Sequence, residues 1–228
     1  MDFDHHRRTL LKLAAGAGGL ALAGCGVTPE TRTATNEQVK SAQATLETFR
    51  ADPQMQWFRE HLKDARGVLI SPRIVRAGFI LGGSGGEALL LAREGRNWIG
   101  PAFYNIGTGS IGLQIGAEIS EVIVLVMTEK AFDSLMSSKV ALGGEASVSA
   151  GPVGIGTGYD ITTDTVSFVK SKGAYAGLNL DAAVITPDPA ANAAFYGRTA
   201  SAADVLVRKT VSSPEAASLQ RSLSEMSR

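Results

Sequence analysis

The chain has 228 residues, 44% of them hydrophobic and 19% charged, enough apolar side chain to close a core of ordinary size. Twenty-two basic residues balance twenty-two acidic ones, so there is no overall basic field of the kind that holds nucleic acid, and an anionic partner must be met by a local patch. Twenty-six glycines without a collagen-like period point to β-structure with tight turns and bulges.

Residues 1–24 read as an export signal. His5, His6, Arg7, Arg8 and Lys12 form a basic start, Leu10 to Ala23 a short apolar stretch, and Leu22-Ala23-Gly24-Cys25 an ending similar to a bacterial lipobox. The stretch is too short and too rich in glycine and alanine for a membrane span. Arg7-Arg8-Thr9-Leu10-Leu11-Lys12 is similar to a twin-arginine export motif, with a secretory signal carrying a chance arginine pair as the alternative. Cys25 is the only cysteine; it is the expected acylation site, and it leaves the domain without an internal disulfide. Gly26 after it, in place of Asp, resembles the signal for the outer membrane, so the expected location is the periplasmic side of that membrane. Beyond residue 24 the chain carries 19 basic and 20 acidic residues.

Residues 25–36 are expected to be a polar tether, and the helical spacing of Val39, Ala42, Leu46 and Phe49 predicts a helix from Glu37 capped by Asn36. Asp52-Pro53 reads as the start of a second helix, with Met55, Phe58 and Leu62 on one stripe and Trp57 and His61 beside it. Strands are expected over Gly67 to Leu81, broken at Ser71-Pro72, and over Glu87 to Arg93. Gly82 to Gly86 reads as a flexible turn between them, and Glu94 to Asn97 as a hairpin turn. The apolar run Val122 to Met127 is the expected centre of the core. A helix over Glu129 to Ser137 capped by Thr128 follows, then strands at Ala146 to Ala150, Val166 to Lys170 and Tyr175 to Ile185, and a glycine-rich loop over 154–158. Helices are expected at Asp188 to Tyr196, at Ala202 to Val207 capped by Ser201, and from Pro214 to Met226, with 208–228 a polar tail. Successive strands with helices at the two ends predict an α+β fold: a single domain with a mainly antiparallel, glycine-rich sheet or partial barrel.

Few residues carry chemistry. Gly107-Thr108-Gly109-Ser110-Ile111-Gly112 matches the dinucleotide fingerprint, but that motif works by opening a helix, whereas Leu113 to Glu118 alternates like a strand. His61 is the sole histidine after the signal, too few for a nucleophile-and-base pair or a zinc site. The carboxylate pairs Glu118/Glu121 and Asp160/Asp164 suit turns better than cation binding or acid-base work. What remains is a basic, aromatic segment: Arg59, Lys63, Arg66, Arg73 and Arg76 beside Trp57. Lysine and arginine on lipid phosphates, with an aromatic ring at headgroup level, suit the face of a bilayer.

Read together, Ala65-Arg66-Gly67-Val68-Leu69-Ile70, Gly85-Gly86-Glu87-Ala88-Leu89-Leu90-Leu91-Ala92-Arg93, Trp98-Ile99-Gly100-Pro101-Ala102-Phe103, Gln114-Ile115-Gly116-Ala117-Glu118 and Ser149-Ala150-Gly151-Pro152-Val153-Gly154 resemble the SYLF domain. That domain occurs in bacterial lipoproteins and in eukaryotic proteins linking phosphoinositides to actin, and the resemblance spans residues 37–207. It implies a phospholipid-binding, non-enzymatic module without a cofactor, whose partner is a membrane with anionic headgroups. An envelope scaffold that binds another protein is the alternative. Many relatives carry an arginine after Gly-Pro-Val-Gly; here Ile155 follows.

Overall fold

The computed structural model describes residues 28–78, 81–111, 116–137, 139–152, 163–171, 180 and 182–228. Helix α1, Pro29–Ala51, starts eight residues before the expected Glu37. The Thr28 hydroxyl accepts from the Thr31 N–H while Thr31 Oγ1 accepts from the Thr28 N–H, a reciprocal cap followed by proline at the first helical position. The region expected to be a tether is therefore largely helical. Asp52 ends α1; its Oδ1 accepts from the Gln54 N–H at 2.9 Å, so Asp52-Pro53 makes a turn, and α2 begins at Gln56 (Gln56–His61). A 3-10 turn over Leu62–Asp64 leads into the sheet.

Strands β1 (Gly67–Gly78), β2 (Leu81–Glu94), β3 (Asn97–Ile111) and β4 (Gly116–Val126) pair antiparallel. After α3 (Glu129–Leu135) come β5 (Val140–Ala141), β6 (Val148–Ala150), β7 (Thr165–Ser171) and β8 (Val184–Pro187), then α4 (Pro189–Tyr196), α5 (Ala202–Leu206) and α6 (Ala217–Met226). The eight strands run in the order β5-β8-β3-β2-β1-β4-β7-β6, and the short β6–β7 pair is parallel. This is the expected α+β domain, a half-barrel sheet with helices from both chain ends packed on it.

The sheet is covered on both faces. Val39, Ala42, Leu46 and Phe49 of α1, Phe58 of α2, and Leu219 and Leu223 of α6 close over Val68, Ile70, Leu89, Leu91, Ile123 and Leu125. The other face packs Leu69, Leu90, Tyr104, Val122, Val124 and Val126 against Phe132 and Leu135 of α3 and Val205 and Leu206 of α5. Double coverage is why Val122 to Met127 reads as a continuous apolar run without strand alternation. Helix α6 is part of this packing: Gln220 donates to the Gly100 carbonyl, and Trp98 Nε1 donates to Ser227 Oγ at 3.0 Å.

Two expected breaks are strand. Ser71-Pro72 is a bulge within β1, where pairing to β2 skips between Ile70 and Arg73. Gly82 to Gly86 belongs to β2 and is paired on both sides, to β1 and to β3. The bulge explains Gly86: a Cβ there would lie 2.2 Å from the Arg73 carbonyl oxygen. The hairpin turn at Gly95-Arg96 is as expected, with Gly95 at φ 59°. Of the strand expected over Tyr175 to Ile185, Val184 and Ile185 open β8, whereas Leu180, Ala182 and Ala183 are not strand; residues 175–179 and 181, the 154–158 loop, Asp160 and Gly112 lie outside the described residues.

Asn192 was not legible as special. Buried in α4, it accepts from the Phe103 N–H at 3.1 Å and donates to the carbonyls of Phe103 and Asp188. Its amide stands in for a neighbouring strand at the point where β8 leaves β3, so the buried backbone of Phe103 stays paired.

Candidate functional site

The basic segment does not form one face. Trp57 is 6% exposed; its ring stacks on His61 with centroids 3.9 Å apart and packs against Phe168 at 5.9 Å. It is an interior residue, which leaves contact with a headgroup layer to other side chains. Arg59 donates to the carbonyls of Arg50 and Asp52 and so closes the C-terminus of α1. Lys63 is exposed on the 3-10 turn, and Arg66 pairs with Glu129 of α3 at 3.2 Å. Arg73 and Arg76 lie past the bulge, three residues apart on a regular strand and therefore on opposite faces; Arg76 stands opposite Glu118 of β4.

On the α1 side of the sheet, Arg73 belongs to an arrangement that sequence spacing did not show. Val75 of β1 and Ile119 of β4 are direct cross-strand partners, and both are exposed, at 38% and 46%. Side chains of such a pair stand on one face. Beside them a groove of about 480 Å³ runs under α1, with Ala34, Gln38 and Ser41 on the helix facing Pro72, Arg73 and Glu87 on the sheet. A smaller groove of about 240 Å³ continues from the shared residues Ala34, Gln38 and Glu87 toward Asp188 and Ala191 of α4. An exposed apolar pair, one arginine and a groove form an amphipathic strip, suited to binding rather than to bond-breaking chemistry.

Glu121 and Asp164 have structural partners. Glu118 and Glu121, three apart on β4, face opposite sides of the sheet, and Glu121 accepts from Thr45 of α1 at 2.8 Å. Asp164 accepts from the Ser147 N–H and hydroxyl, from Thr128 and from Lys130, tying β7 to the loop before β6 and to the start of α3. Among the described residues no cluster of His, Cys, Asp and Glu could hold a metal ion. The described part of GTGSIG, Gly107 to Ile111, is the end of strand β3.

The Ser147 backbone N–H, then Thr128 and the remaining donors, hold the Asp164 carboxyl well below the usual carboxylate range. A depressed folded-state pKa adds stability above the unfolded value of about 4 and loses it as pH falls below that value. Asp164→Asn should therefore melt below the wild type at pH 6, and the gap in melting temperature should narrow as pH falls from about 5 to about 2. A gap that stays constant over that range contradicts the assignment.

The family described as Ysc84, Las17-binding protein actin regulator, matches residues 107–226, more than half of the chain. The chain belongs to the Ysc84 family. This is the SYLF family that the sequence resembles. Protein YSC84 of Saccharomyces cerevisiae is 29% identical over 170 residues, covering 71% of this chain and 36% of that protein. LAS seventeen-binding protein 3 of the same yeast is 29% identical over 153 residues, covering 64% and 33%. SH3 domain-containing YSC84-like protein 1 of Xenopus laevis is 28% identical over 131 residues, covering 55% and 39%. The chain thus spans only about a third to two fifths of these Ysc84 relatives.

Proposed function

We propose that this Ysc84-family domain is a non-catalytic phospholipid-binding module of the bacterial cell envelope, anchored through an acylated Cys25 and meeting the bilayer with the strip formed by Arg73, Val75 and Ile119. The observation that carries the reading is the exposed Val75–Ile119 pair beside Arg73 and the groove under α1. Apolar side chains at the acyl boundary and an arginine at phosphate level are the pattern of an interfacial surface. The early start of α1 adds to it. Cys25 stands three residues before the cap Thr28, an extended reach of about 10 Å. An acyl anchor there holds the domain against the membrane rather than letting it stand off, and Gly26 favours the outer membrane.

Co-sedimentation of the chain from Gly26 onward with phosphatidylglycerol vesicles tests the reading. Protein in the pellet supports it, and protein wholly in the supernatant at every lipid concentration sinks it.

A second reading takes the partner to be a protein, as the names of the family and of LAS seventeen-binding protein 3 suggest. Crosslinking in cells that recovers one stoichiometric envelope protein, with no vesicle binding by the domain, would favour it.

A further inference from the structure

We propose that a second cleft, at the far end of the strands, binds a phosphoethanolamine group. The cleft, of about 260 Å³, lies at the Arg93 end of β2, away from Val75; it is bordered by the start of β1, by α3 and by the loop after α5. Three cations line it, Arg66, Arg93 and Lys209, and three carboxylates, Glu94, Glu129 and Asp133.

Four of these charges are paired within the protein: Arg66 with Glu129, and Lys209 with Glu94. Arg93 uses Nε on the Ala65 carbonyl at 3.1 Å and, among the described residues, makes no ion pair; Asp133 makes none either. One cation and one carboxylate therefore share a cleft without neutralising each other. A guanidinium offers paired N–H donors to a phosphate, and a carboxylate accepts from an ammonium. A ligand with both charges a short linker apart satisfies the two at once.

Asp133 also discriminates. A purely anionic headgroup held by Arg93 would leave this carboxylate without a counter-charge in a small cleft, whereas a zwitterion meets each sign with its opposite. Phe132, Leu206 and Val207, the last 53% exposed, give the cleft an apolar wall, suited to the carbon stem of an amphiphile. Lys209 holds a left-handed backbone, φ 55°, a conformation that lysine seldom adopts and that here places it at the cleft rim. The inference rests on the phospholipid reading for the source of its ligand, not for the chemistry of the cleft.

Isothermal titration of the full chain in maltoside micelles tests it, with glycerophosphoethanolamine and glycerophosphoglycerol as probes. The expected result is at least about tenfold tighter binding of glycerophosphoethanolamine. Asp133→Asn should erase the preference and Arg93→Gln should abolish binding, while Arg96→Gln, on the nearby turn, should change neither; thermal melting checks that each variant is folded. Equal affinity for the two probes, no binding of either, or unchanged selectivity in Asp133→Asn overturns the proposal.

Phosphatidylethanolamine vesicles that compete with the soluble probe identify the source as a lipid; failure to compete identifies a soluble phosphodiester and overturns the lipid source alone. The two surfaces separate cleanly. Arg73→Glu should leave glycerophosphoethanolamine binding intact, and Asp133→Asn should leave phosphatidylglycerol sedimentation intact, so either claim can fail without the other.

Discussion

Replacing Gly86 with alanine should lower the unfolding free energy by about 2–4 kcal/mol, a fall in melting temperature of about 5–15 °C for a domain of this size. The cause is local. At the β1 bulge the Arg73 carbonyl lies where a Gly86 Cβ would be, 2.2 Å away, with Ile74 Cα at 3.1 Å. Both obstacles are backbone, so relief requires moving β1 against β2 rather than turning a side chain. Gly85, one residue earlier in the same run, is the control: a Cβ there would meet its nearest atom, the Ile106 carbonyl oxygen, at 3.7 Å, an ordinary contact. Gly85→Ala should cost less than about 1 kcal/mol. Equal effects at the two glycines in thermal or urea unfolding would show that the bulge does not set the requirement.

Charge reversal at Arg73 should weaken binding to phosphatidylglycerol vesicles about ten- to thirtyfold without changing stability. A basic residue at an anionic surface contributes about 1 kcal/mol, and the reversal also adds a repelled carboxylate. Arg73 is exposed and, among the described residues, in no ion pair, so its loss breaks no internal contact. Arg76→Glu should have a smaller effect on vesicle binding, because Arg76 points to the other face. Lipid titrations by co-sedimentation read both. Similar losses at the two positions would mean that net charge rather than the Arg73 strip governs binding.

These expectations show where sequence patterning reaches and where it stops. The antiparallel α+β sheet, the Thr128 and Ser201 caps, the hairpin turn at Gly95-Arg96 and the buried run at Val122 follow from period, turn chemistry and apolar content, which act over a few residues. The cap at Thr28 follows the same rules but was hidden behind the polar composition of Thr31 to Asn36, which reads as linker. Gly82 to Gly86 reads as a turn because its glycines say nothing about what approaches them; the reason for Gly86 is a carbonyl 13 residues earlier.

The candidate site fared differently. Crowding along the chain placed Trp57, Arg59, Lys63, Arg66, Arg73 and Arg76 on one basic surface. Folding sends Trp57 into the core, Arg59 to a helix end and Arg66 to the opposite side of the sheet. Val75 and Ile119 could not be joined from sequence, since their contact depends on the β1–β4 register. The same holds for Arg93 and Asp133, which come from a strand and a helix that only the finished sheet brings to one cleft.

Site-specific labelling tests the central claim most directly. With Cys25 replaced by Ser, an environment-sensitive fluorophore on a single cysteine at position 75, 119 or 96 reports whether that site enters a lipid interface. The account predicts a blue shift on adding phosphatidylglycerol vesicles at Val75→Cys and Ile119→Cys, and none at Arg96→Cys, which lies at the other end of the strands. No shift at positions 75 and 119 while the protein is vesicle-bound, or a shift at 96 alone, would contradict it.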